Sequence, residues 1–158
     1  MKFDLHIHSC LSPCANLEMS PREIVARAVK AGMQGIALTD HNSSKNCPAG
    51  AEWAPPAGPP FLSGPEGRAA EEIASLTLFD TVEAAAKMTD WVYEAMIKRV
   101  NDPEAFGDQP VVTADDDIVE LEWRIRGSAT RRSLVEVGDA LSPVVGLGGQ
   151  HLVAHGMI

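Results

Sequence analysis

The chain has 158 residues, 45% of them hydrophobic and 22% charged, which suits one ordinary globular domain with a sizeable core. A formal net charge of −9 argues against a free-standing nucleic-acid binder; taken alone the charge reads as simple solubility, while clustered carboxylates and imidazoles suit a bound cation. Three cysteines without a CxxC pair indicate neither a zinc ribbon nor a disulfide framework, and the N-terminus lacks the apolar stretch of a signal peptide or membrane span, so reduced thiols and a cytoplasmic location are expected.

Residues 2–7 (KFDLHI) read as a strand. The segment 20–32 reads as a helix, with Ser20 and Glu23 forming a capping box, Pro21 in the first helical position and Gly32 ending it. Ile24, Val25, Ala28 and Val29 form its apolar stripe. Residues 34–39 (QGIALT) read as a second strand, so the start of the chain is a βαβ unit and the two strands should pair in parallel. From Asn46 to Pro65 the prolines and glycines predict a loop, with a short strand at Phe61-Leu62. Residues 73–79 read as a strand and 80–100 as the longest helix, capped by Asp80 and Glu83. A loop at 101–110 follows. Two short strands then flank an acidic turn at Asp115, Asp116 and Asp117, which lacks the spacing of a calcium loop. A short helix near 133–141 and a strand at 150–154 close the chain.

His6 and His8 alternate along the first strand, so both imidazoles leave one face with Cα atoms roughly 6–7 Å apart, close enough to share one ion. They lie at the C-terminal end of that strand, where parallel α/β folds place their sites. Asp40-His41 ends the second strand on the same rim. Glu66 follows Gly64-Pro65 after the short third strand and offers a bridging carboxylate, and His155 ends the last strand. Cys10 and Cys14 lie near the rim, but no partner base marks either as a nucleophile.

The segments DLHIHSCLSPCA, IALTDHNS, G-PE and GG--LVAH resemble the PHP (polymerase and histidinol phosphatase) family. The resemblance implies a metal-dependent phosphoesterase on a partial or distorted (β/α)7 barrel with mostly parallel strands, the whole of 1–158 forming a single domain. It implies that His6, His8, His41, Glu66 and His155 bind divalent zinc, manganese or iron, with Asp40 orienting an imidazole. A water activated by the metal would then hydrolyse a small phosphorylated substrate. Three departures accompany it. Ala74 stands where a ligand histidine is expected, Asn16 stands where relatives often have Asp, and the C-terminal Asp-x-His and last barrel strands are expected to be absent. Hence one ion is expected at His6, His8 and Glu66, with His41 mattering less. A degenerate module that binds metal weakly and serves as a non-catalytic binding or regulatory domain is the alternative, ahead of a purely structural metal domain, which would need a closed ligand set.

Overall fold

A computed structural model describes residues 1–56, 58–125 and 127–142 in full and 151–155 by their backbone. The chain opens with β1 (Phe3–Ile7), α1 (Pro21–Lys30) and β2 (Gly35–Leu38), and β1 pairs with β2 in parallel, as the βαβ reading requires. In α1 the Ser20 side chain accepts from the Glu23 N–H, but Glu23 turns its carboxylate to Arg27 at 2.7 Å, so only half of the capping box forms. Ile24, Val25 and Ala28 bury against Ile36 and Leu38, which lays the helix over the sheet.

The proline-rich stretch is not all loop. It contains α2 (Cys47–Trp53), two turns long, because Pro48 falls in the first turn, where its missing N–H costs nothing. Gly50 is tolerated inside this helix for a packing reason: a Cβ there would stand 2.5 Å from the Phe61 ring. Phe61 begins β3 (Phe61–Ser63), which adds to β2 in parallel and completes a sheet of order β1-β2-β3.

The next strands depart from the expected parallel barrel. β4 (Glu66–Arg68) and β5 (Ala74–Leu78) pair antiparallel, and β8 (His151–His155) pairs antiparallel on the other side of β5. The reason is connection length: residues 69–73 make a turn, whereas a parallel crossover takes about a dozen residues. Among the described residues no sheet closes on itself, so a (β/α)7 barrel is not formed there. The two sheets meet at the start of β4, through a parallel bridge from His41 to Glu66 and an antiparallel one from Ser63 to Phe79. Gly64 makes this approach possible, since a Cβ there would lie 1.7 Å from the Thr77 carbonyl oxygen.

The long helix, α3 (Val82–Ala95), is shorter than its apolar pattern suggested and is capped by Thr81 rather than Asp80. It stops where Met96 turns extended and bridges Thr130. Ala85, Met88 and Val92 pack with Phe79 and with Val137 and Leu141 at α5 (Leu134–Ala140), which carries a complete Ser133–Glu136 capping box. Between them a single turn, α4 (Pro103–Phe106), interrupts the expected loop, and β6 (Pro110–Val112) and β7 (Ile118–Leu121) form the hairpin around the acidic turn. No described helix is long and apolar enough to cross a membrane.

Candidate metal centre

Parallel pairing of β1 and β2 brings their C-terminal ends to one rim, and the main chain of β4 is stitched to that rim. The Glu66 N–H donates to the Asp40 carbonyl at 3.0 Å, and the Asn42 N–H donates to the Glu66 carbonyl at 2.8 Å. His6, His8, His41 and Glu66 therefore come from three separate strands to a common point. Glu66 Oε2 lies 3.4 Å from His6 Nε2, 3.1 Å from His8 Nε2 and 2.9 Å from His41 Nδ1, while the two Nε2 atoms of His6 and His8 are 3.0 Å apart. Donors that surround one tetrahedral ion at about 2.0–2.1 Å are separated by roughly 3.3 Å, and the spacings among His6, His8 and Glu66 bracket that value, with His8, Cys14 and His41 forming a second such group beside them. His41 also lies close to the carboxylate, but its donors group with His8 and Cys14, while His6, His8 and Glu66 form the other group, as expected for one ion at those three.

Burial would raise the pKa of Glu66, but hydrogen bonding from His41 and His8 outweighs it and holds the carboxyl well below the usual carboxylate range. Asp40 is buried and does not orient an imidazole. Its carboxylate accepts from the Ser9 N–H at 2.7 Å, from Ser9 Oγ at 2.6 Å and from Ser12 Oγ at 2.7 Å. Burial raises its pKa while these serine bonds oppose the rise. Ser12 Oγ also accepts from the His41 N–H at 3.1 Å, so Asp40 holds the site one step removed, by fixing the loop after β1 against the end of β2.

That loop carries the residue missed from sequence. The Cys10 N–H donates to the Met19 carbonyl at 2.8 Å, closing the loop over the rim, and Cys14 Sγ comes 3.0 Å from His8 Nδ1 and 3.4 Å from His41 Nε2. From sequence Cys14 reads only as a candidate nucleophile. The available signal was its position, six residues beyond His8 on the same rim. His8 and His41 thus each face Glu66 with one ring nitrogen and Cys14 with the other.

Proton counting tests whether these residues suit a cation. A neutral imidazole carries one proton, on one nitrogen. If His8 and His41 both hold it toward Glu66, two bare nitrogens face one thiol proton at Cys14. If both hold it toward sulfur, two bare nitrogens face an ionised carboxylate. A mixed arrangement leaves one bare nitrogen against the carboxylate; either a second proton on an imidazole or a bound divalent cation removes the mismatch, and imidazole, carboxylate and sulfur donors suit zinc or iron. The donor set fits a metal.

Residues 4–101 match the family model described as the PHP domain. The chain belongs to the PHP domain family. The match spans His6, His8, Cys14, His41 and Glu66. A solved structure of a protein provisionally named a metal-dependent phosphoesterase, from Bifidobacterium adolescentis, superposes with a TM-score of 0.63 at 21% sequence identity. It covers 98% of this chain, and this chain covers 66% of its length, just under two thirds. That likeness establishes a shared fold. No curated protein matches the chain. In this PHP domain Ala74 occupies the position where a histidine was expected, buried in β5 and paired in register with both Arg68 and His155. The His155 side chain lies outside the described residues.

Proposed function

We propose that this PHP domain is a metal-dependent phosphoesterase that hydrolyses a small phosphorylated substrate. The observation that supports it best is the meeting of three imidazole nitrogens and one carboxylate oxygen from three strands, each nitrogen within 3.4 Å of Glu66 Oε2. His6, His8, His41 and Glu66 would hold the metal, with Cys14 adding sulfur beside His8 and His41 and His155 a further candidate. When bound, a divalent ion supplies Lewis-acid activation of water and neutralises phosphoryl charge. The protein's part is to hold four donors at fixed separation, keep Glu66 anionic, and fix the β1 loop through Asp40, Ser9 and Ser12. Sulfur beside imidazole favours zinc or iron over magnesium.

The test is hydrolysis of p-nitrophenyl phosphate by protein stripped with chelator and reloaded with zinc, manganese or iron. Activity should return with metal and fall at least about 100-fold in His6→Ala, the range seen when a catalytic stabiliser is removed. Full activity in chelator, or in His6→Ala, would refute the reading.

A further inference from the structure

We propose that Arg68 anchors the phosphoryl group of the substrate. This rests on the reading of the neighbouring centre as a phosphoesterase site. Glu66 and Arg68 are two apart on β4, so their side chains leave the same face with Cα atoms roughly 6–7 Å apart. A cavity of about 210 Å³ opens there, lined by His41, Asn42, Glu66, Arg68 and Ala74. Ala74 stands directly opposite Arg68 in the β4–β5 register, and its methyl group leaves open the space an imidazole would fill.

The backbone beneath Arg68 is fixed: its N–H donates to Asn42 Oδ1 at 3.2 Å, and Asn42, at φ 52°, belongs to the turn directly after His41. Its guanidinium is held loosely. Nε lies 2.7 Å from Glu72 Oε2 without hydrogen-bond geometry, and the Glu72 side chain is 64% exposed. Such a solvent-screened pair contributes little and gives way easily to a better acceptor. Neither Nη group has a partner among the described residues, so the fork is available for two phosphate oxygens. In a chain of net charge −9, Arg68 is the cation that makes this cavity hospitable to an anion.

The experiment is calorimetric titration of inorganic phosphate into zinc-loaded wild type, Arg68→Ala and Arg68→Lys, each first titrated with zinc. Arg68→Ala should weaken phosphate binding about 10- to 100-fold, the worth of a charge-assisted hydrogen-bond pair, with Arg68→Lys intermediate and zinc affinity unchanged in all three. Wild type that binds zinc, with phosphate held equally by Arg68→Ala, overturns the assignment of Arg68 alone. Wild type that takes up no zinc overturns the metal reading beneath it.

Discussion

At the scale of single residues, the three thiols separate cleanly. Burial, with the nearby Asp40 charge adding to it, pushes the Cys10 thiol up to about 11 and the Cys47 thiol up to about 12. Both should be inert at neutral pH, because the thiolate is the reactive form. Partial burial raises the Cys14 thiol as well, so what sets it apart is access: it is exposed and touches two imidazoles. A disulfide reagent at pH 7.5 should therefore modify one thiol of the folded chain, the reaction should vanish in Cys14→Ser, and zinc should slow it in the parent. Rapid modification of two or more thiols in the native state would contradict this placement. Lys45 is a second informative residue. It bonds Glu120 at 2.7 Å and the fully buried Glu122 at 2.8 Å, and although its own burial lowers its pKa, these bonds raise it above 10.5. A raised folded-state value means the stabilisation is complete below 10.5 and lost as pH climbs through the folded-state pKa. Lys45→Met should cost about 1–3 kcal/mol at pH 8, since it leaves Glu122 with one cation fewer. In urea melts the gap between parent and variant should narrow by pH 11.5. A gap that stays constant would show that Lys45 acts by packing alone.

At the scale of elements, the join between the two sheets turns on one glycine. An alanine at Gly64 would drive its Cβ into the Thr77 carbonyl, which is backbone and has nowhere to go. Gly64→Ala should lose about 3 kcal/mol or more and displace Glu66, two residues on, from the imidazoles. Gly138, inside α5, has open space around its missing Cβ, so Gly138→Ala should stabilise by about 0.5–1 kcal/mol. Thermal melts of the two variants should move in opposite directions. The same elements show what sequence reveals. The opening βαβ unit was legible because a cap, a proline and a periodic stripe lie together within α1, and the alternation of His6 and His8 follows from β1 itself. The three-residue β4 was not legible, because EGR is too short to display alternation and exists through its pairing with β5. Helix α2 was hidden because its permission to form depends on where Pro48 falls and on Phe61 packing over Gly50.

For the whole molecule, the site forms where a parallel sheet and an antiparallel one share an edge. Four of the expected ligands, His6, His8, His41 and Glu66, meet there. Two roles did not follow from sequence. Asp40 works through serine hydroxyls rather than an imidazole, and Cys14 joins the cluster because a loop closes over the rim, a tertiary event that spacing alone does not disclose. The grouping also ranks the histidines, since His8 belongs to both donor groups, His6 joins it beside Glu66, and His41 joins it beside Cys14. The most direct measurement is zinc binding by calorimetry to chelator-stripped wild type, His8→Ala, His41→Ala and Glu66→Gln, with folding of each checked by circular dichroism. All three variants should keep the fold; His8→Ala and Glu66→Gln should lose zinc affinity about 10-fold or more, because each removes a donor from the His6, His8 and Glu66 group, and His41→Ala should lose less. Wild-type affinity in His8→Ala or Glu66→Gln would contradict the centre.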